Sequence, residues 1–327
     1  MKRSRIVLLA ALIVMAALGL FISVMSVINA SGRGRMVSFL LGGKAELRNT
    51  IEISSSELDS LVMEYGSKNI NVYLSQDENV TIKEYLYSDS PKAAATVSYT
   101  GDKEAVVTGG EIHSIVIFGF WTKGERIEVY VPEKSLAKLS LKTGSGNITS
   151  EMACVREEGS LFLKAGSGNI RLSNAEAENL SVLAGSGNVK LENIKGNLKV
   201  ETGSGNITGN QIEGKLNAQA GSGNITLTEI SGEGSLEAGS GNVRVEATVV
   251  TGDMSLTTRS GNIRLELPDN FAFHFQAKTG SGNISTDFDD ALSYNKKGNQ
   301  AEGQVGAGAP QVEIYVKAGS GNVRVLY

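Results

Sequence analysis

Cys154 is the only cysteine in this chain of 327 residues, so neither an intramolecular disulfide nor a thiolate metal cluster can form. Stability must come from burial and hydrogen bonding alone. Only two histidines are present, His113 and His274, and neither sits at a metal-ligand spacing, which argues against histidine metal chemistry and a nucleophilic triad. There are four prolines, one tryptophan and nine each of Phe and Tyr, beside 39 glycines, a balance that suits many short strands and many turns. From Met36 onward 26 basic residues face 35 acidic ones, a net charge of −9. That surface repels phosphate backbones, which bind through Lys and Arg, so nucleic acid is not an expected partner.

Polarity is also missing from Ile6 to Ile28, 23 residues without a charge in which only Ser23 and Ser26 are polar. Roughly 20 apolar residues span a bilayer, so this segment is expected to be a transmembrane helix. The rival is a cleavable signal peptide, because Ile28-Asn29-Ala30 loosely resembles a cleavage site, but the apolar core of such a peptide is normally about 7 to 15 residues. Lys2, Arg3, Arg5 and the amino terminus precede the span and only Arg33 and Arg35 closely follow it, which favours a cytoplasmic amino terminus and an exported remainder. The expected organisation is a cytoplasmic tail (1–5), a membrane anchor (6–28), a juxtamembrane linker (29–48), irregular β-solenoid turns (49–140) and a regular repeat (141–327).

What the chain has in abundance is the tetrapeptide Gly-Ser-Gly-Asn followed by Ile or Val. Its asparagines are Asn147, Asn169, Asn188, Asn206, Asn224, Asn242, Asn262, Asn283 and Asn322, and one copy has Arg259 in place of the first glycine. Successive spacings are 22, 19, 18, 18, 18, 20, 21 and 39 residues, and a period near 20 means one small unit stacked on the next. The last gap suggests an eroded copy, with Ala291 to Pro310 as a polar surface loop in its place.

Around each motif apolar and polar residues alternate, as in Leu198-x-Val200-x-Thr202, the mark of a strand with one buried face. Each unit therefore reads as strand, tight turn, strand, loop. About 18 residues is too few for a strand-helix-strand crossover, which takes roughly 30. Stacking at about 4.8 Å per turn pairs each strand with its equivalents above and below. The expected fold is an all-β parallel β-helix of about 18 to 22 residues per turn. A sandwich or up-and-down barrel competes, but the motif keeps one phase in every unit, whereas a meander would reverse direction. Expected interior columns are Leu180, Leu198, Leu216 and Leu236, and Ile148, Ile170, Val189, Ile207, Ile225 and Val243. Gly66-Ser67-Lys68-Asn69-Ile70 reads as a worn copy 78 residues before Asn147, implying about four early, irregular turns of the same coil. A second echo supports continuity: Pro132 precedes Gly144, and Pro268 precedes Gly280, by the same 12 residues.

The two glycines are expected to supply positive φ at a sharp corner. The asparagine amide both donates and accepts, so stacked copies can form a ladder. The ladder is the preferred reading; the alternative is that the Ser and Asn side chains line one edge as a polar strip for a glycan or peptidoglycan strand, and the spacing does not separate the two. Asp287, Asp289 and Asp290 read as a calcium-binding group or, more simply, a solvated loop. Phe118, Phe120 and Trp121 read either as a cap on the core or as an exposed interaction tip. No cofactor or metal site is expected.

The Ser-Gly-Asn-Ile/Val repeats, together with Ile53-Ser54-Ser55-Ser56, Asn69-Ile70-Asn71-Val72 and Val131-Pro132, resemble the bacterial putative-adhesin family of β-strand repeats known as domain of unknown function 4097, over about residues 49 to 327. The resemblance implies a right-handed parallel β-helix and an envelope location, and brings no catalytic residues. The leading expectation is a non-catalytic, membrane-anchored, extracytoplasmic β-solenoid acting in surface interaction or envelope sensing, with a cell-wall glycan or an envelope protein as partner. A structural or regulatory partner of a membrane signalling system is the alternative. A polysaccharide-active β-helix enzyme is a third reading, against which stands the scatter of Asp and Glu along the coil where paired carboxylates are needed.

Overall fold

The computed structural model describes residues 44–101, 103–110, 124–151, 155–269, 271–307 and 312–327, together with the backbone of 37–40 and 113–116. The expected anchor at 6–28, most of the linker, and Phe118, Phe120 and Trp121 lie outside these residues. Among the described residues no helix is long and apolar enough to cross a membrane.

The repeats form solenoid-like rungs joined in one mixed sheet of 22 strands that does not close on itself. A short parallel pair, Val37–Leu40 with His113–Val116, stands apart. The rung through Val189–Thr202 shows why the sequence coils. Val189, Leu191, Ile194, Leu198, Val200 and Thr202 point inward and are buried, while Lys190, Glu192, Lys195 and Lys199 point outward. The alternation breaks once, at the exposed pair Glu192-Asn193, where Asn193 takes φ 53° and bends the strand. Asn174, Gln211 and Glu229 hold the same bend in neighbouring rungs, at φ 53°, 55° and 54°.

Two expectations about the coil need correction. The tetrapeptide glycines are not generally at positive φ; among the described copies only Gly282 and Gly321 are. Glycine is required instead because the rungs stack directly: a Cβ on Gly205 would lie 1.9 Å from the carbonyl oxygen of Gly187. Leu236, moreover, does not continue the Leu180, Leu198, Leu216 column. Leu216 pairs with Gly234, and Leu236 pairs with Ala218. Counting back from each asparagine, Leu236 stands two residues closer to its turn than Leu216 does, so it shifts by one inward position. The Ile148 to Val243 column runs in register throughout and is buried.

At both ends the rungs stack out of chain order. The Asn69 rung (Ser60–Tyr65 and Asn69–Leu74) lies directly against the Asn147 rung, with Leu61 opposite Leu139 and Ile70 opposite Ile148. The 78 residues between these asparagines are therefore not four stacked turns. Among the described residues they make a single outer rung, Glu104–Thr108 and Arg126–Val131, parallel to the Asn69 rung, plus Asn79–Leu86 and Thr96–Thr100, which pair antiparallel. At the other end, Glu313–Ser320 and Val323–Leu326 insert between the Asn262 and Asn283 rungs. Among the described residues the long last gap thus holds no eroded copy. Leu292–Tyr294 and Gln300–Val305 form an antiparallel hairpin, not a loop, and Gln300–Val305 covers the outer edge of Phe273–Ser281.

Pro132 and Pro268 each mark a place where the chain passes over a rung. Pro132 follows the outer rung before the chain skips to Leu136–Thr143, and Pro268 follows Ile263–Glu266 before it skips to Phe273–Ser281. Proline has no N–H for a neighbouring rung, which suits a residue leaving the ladder.

Each end of the core is closed differently. At the carboxy-terminal end Phe273, Phe275 and Phe288 meet edge to face at 5.3 to 6.3 Å, with Tyr327 5.5 Å from Phe288. At the amino-terminal end the fully buried Glu84 carboxylate accepts from Asn49 Nδ2 (2.7 Å), the Tyr65 hydroxyl (3.0 Å) and the Ala95 N–H (2.8 Å). Burial first, and then the Glu84 charge, push the Tyr65 hydroxyl well above its ordinary pKa.

Candidate functional site

The repeated turns build one continuous edge. The backbone N–H of each motif asparagine donates to Oδ1 of the asparagine one rung before it: Asn147 to Asn69, then Asn169, Asn188, Asn206, Asn224, Asn242 and Asn262 in sequence order, each at 2.8 Å. The ladder then jumps to Asn322, which donates to Asn262 at 2.9 Å, and ends on Asn283, which donates to Asn322 at 3.0 Å. In return, the N–H of the residue after the asparagine donates to the backbone carbonyl of the asparagine on the next rung, as Ile207 does to Asn224 at 2.9 Å. The asparagine side chain therefore supplies the acceptor that the turn's own backbone geometry omits. In several copies Nδ2 also donates to the same oxygen at 3.3 Å, as from Asn224 to Asn206. With Oδ1 accepting twice, little of the amide is left for a ligand.

What the edge leaves open is its hydroxyl row. Ser145, Ser167, Ser186, Ser204, Ser222 and Ser240 are all exposed beside the ladder, repeating about every 4.8 Å. Beneath them lies a brace that sequence reasoning missed. Thr202 Oγ1 donates to the Gly187 carbonyl at 3.0 Å and accepts from the Gly205 N–H at 3.1 Å. Thr143 makes the same pair of bonds, and Thr258 and Thr279 make the donating one. The signal was present: four residues before each asparagine stands Thr or Ala, and the threonines are buried. A threonine is tolerated at that buried position because its hydroxyl finds a backbone partner there. At the worn copy the second glycine is Lys68, buried and reaching Glu125 at 4.0 Å.

The other candidates are not brought together. His274 Nε2 faces Glu302 at 3.5 Å and no other candidate ligand. Asp289 is engaged by the Thr286 hydroxyl at 2.7 Å and the Tyr294 hydroxyl at 2.5 Å, which hold its carboxyl below the ordinary range. Burial and Asp289 in turn push Tyr294 up to about 12. Among the described residues no group of His, Cys, Asp and Glu could hold a metal ion.

Comparison with known proteins follows this architecture. The model of the family described as Toastrack DUF4097 matches residues 49–326. No curated protein matches the sequence. Among solved structures, similarity extends to a "putative lipid binding protein" from Parabacteroides distasonis, at 16% identity and TM-score 0.48 over 88% of this chain and 99% of that one. It extends also to a "putative adhesin" from Bacteroides fragilis, at 16% identity and TM-score 0.40 over 88% and 100%. A "putative cell adhesion protein" from Clostridium sporogenes shares 13% identity at TM-score 0.24, over 85% and 97%. At such identities and scores no ligand passes from those proteins to this one.

Proposed function

Since the chain belongs to the Toastrack DUF4097 family, we propose that it is a non-catalytic binding rod of the cell envelope, held by residues 6–28 with its carboxy-terminal part outside the membrane. One observation carries this reading: the unbroken asparagine ladder holds ten rungs in register and leaves a row of free-standing hydroxyls along a rigid edge. A rigid, periodic surface costs little conformational entropy to present to an extended partner.

The surface charges fit a binding rod better than a hydrolase. Carboxylates on the outward faces lean on cations of the same strand, as in Arg126–Glu128 at 2.8 Å, Lys199–Glu201 at 2.8 Å and Arg264–Glu266 at 2.6 Å. A general acid needs the opposite environment, one that favours the neutral carboxyl. Protease accessibility and crosslinking in intact cells test the proposal. Shielding of residues 44–327 from external protease, after the outer layers are permeabilised, contradicts the location. Release of sugar ends from purified wall polysaccharide contradicts the absence of catalysis.

A further inference from the structure

We propose that a groove on the outer face beside the ladder, near the amino-terminal end, is a binding site for neutral oligosaccharide. The inference rests on the binding-rod reading and names the ligand class that such a rod would take. The groove encloses about 630 Å³ and crosses from the Asn69 rung to the Asn188 rung. Three rung spacings make it roughly 14 Å long, extended enough for a chain of sugar rings.

One side is aromatic. Tyr73 is 39% exposed and stacks on Tyr130 with centroids 5.4 Å apart and planes at 30°. Lys83 Nζ sits 4.8 Å from the Tyr130 centroid, so the pair is fixed from outside the groove. A tyrosine held in this way offers a flat apolar plate, and the C–H face of a pyranose is the complementary surface.

Val72 and Leu74 flank Tyr73, and the facing side is polar and charge-balanced: Arg171 and Lys190 against Glu151 and Glu192, with Gln76 and Ser173. Sugar hydroxyls donate and accept at once, so they need this mixture. A phosphate backbone or other polyanion needs an excess of cations, which the lining lacks. Arg171 is the telling residue. In two other rungs of its column a cation meets a carboxylate two residues on, Lys190–Glu192 at 3.7 Å and Arg264–Glu266 at 2.6 Å, and Arg244 reaches Glu266 of the neighbouring rung at 3.6 Å. Two residues after Arg171 stands Ser173, and among the described residues the guanidinium has no ion-pair or hydrogen-bond partner. The groove is also braced. Asn174 Nδ2 donates to the Glu151 carbonyl at 3.2 Å, and Asn193 Nδ2 donates to Asn174 Oδ1 at 2.8 Å.

The test is saturation-transfer NMR and titration of the full-length protein in mild detergent. The probes are β-1,4-linked N-acetylglucosamine tetramer, maltotetraose and a mannose tetramer, with heparin as the polyanion control. At least one neutral tetramer is expected to bind at millimolar concentration or below. Tyr73→Ala is expected to weaken it by about tenfold, Arg171→Ala by a similar factor, and Tyr73→Phe, which keeps the plate, by less than about twofold. Both sites are surface positions, and unchanged melting of each variant separates lost contacts from lost folding. Silence with all three tetramers overturns the groove as a saccharide site, as does binding that survives the Tyr73→Ala and Arg171→Ala pair, or binding to heparin alone. Crosslinking to an envelope protein together with that silence leaves the rod standing as a binding protein and removes only its sugar.

Discussion

Asn322 donates its backbone N–H to Oδ1 of Asn262, a residue 60 positions earlier, at 2.9 Å. Asn283 lies between them in sequence yet outside them in space, donating to Asn322 at 3.0 Å. The last turn of the chain is thus clamped between two earlier ones. The amino-terminal end shows the same device in mirror order, since the Asn69 rung is held between the Asn147 rung and the later strands Glu104–Thr108 and Arg126–Val131. Outer rungs edged by antiparallel strands leave less open ladder for another chain to add to.

Gly205→Ala is expected to destabilise the protein by about 1 to 3 kcal/mol or more, because the new methyl meets the Gly187 carbonyl at 1.9 Å and backbone cannot give way cheaply. The neighbouring exposed Ser204→Ala should change stability by less than about 0.5 kcal/mol. Paired thermal melts measure the difference, and equal midpoints would refute direct stacking of the turns.

Leu198→Ala is expected to cost about 2 to 5 kcal/mol, since the side chain is 2% exposed between Leu180 and Leu216. Denaturant unfolding reads this directly. A loss below about 0.5 kcal/mol would put Leu198 outside the core.

Asn206→Ala removes the acceptor for the Asn224 N–H and should cost about 0.5 to 1.5 kcal/mol, with faster amide exchange confined to Asn224 and its turn. Exchange unchanged at Asn224 would mean that the ladder bond contributes nothing.

Asp289 predicts an acid-sensitive hairpin. Hydrogen bonds from Tyr294 and Thr286 lower its folded pKa, so its stabilising contribution is present above the unfolded value near about 3.9 and is lost as pH falls through the lower folded value. Melting of the wild type should therefore fall more steeply below about pH 4 than that of Asp289→Asn. Parallel curves for the two proteins would remove Asp289 from the account.

The repetitive middle was legible because one signal repeats without interruption: period-two alternation, a fixed motif phase and columns counted from each asparagine. Leu236 leaves the leucine column because its distance from Asn242, and not its residue type, sets the register. Rung order at the ends was not legible, because a parallel ladder looks the same to Asn262 whether Asn283 or Asn322 lies beside it. Only the prolines carried a trace, with Pro132 and Pro268 each placed where the chain leaps a rung. The glycines stand where the turns need them, yet the positive φ belongs to Asn193 and its equivalents, since sequence alone does not tell a residue freed in φ from one crowded at Cβ. Arg171 and Tyr73 carried no motif at all. Their meeting in one groove follows from the 78-residue excursion that brings the Asn69 rung against the Asn147 rung.

The order of the rungs is decided most directly by crosslinking in a Cys154→Ser background. Ser260 lies in register beside Ser320, which separates it from Ser281. Adjacent rungs are about 4.8 Å apart and alternate ones about 9.6 Å, and a disulfide needs a Cα separation under about 7 Å. Oxidation should therefore link the Ser260→Cys, Ser320→Cys pair readily and leave Ser260→Cys, Ser281→Cys as free thiols. Efficient closure of the second pair, with the first unreacted, would show that the turns stack in chain order and contradict the inserted rung.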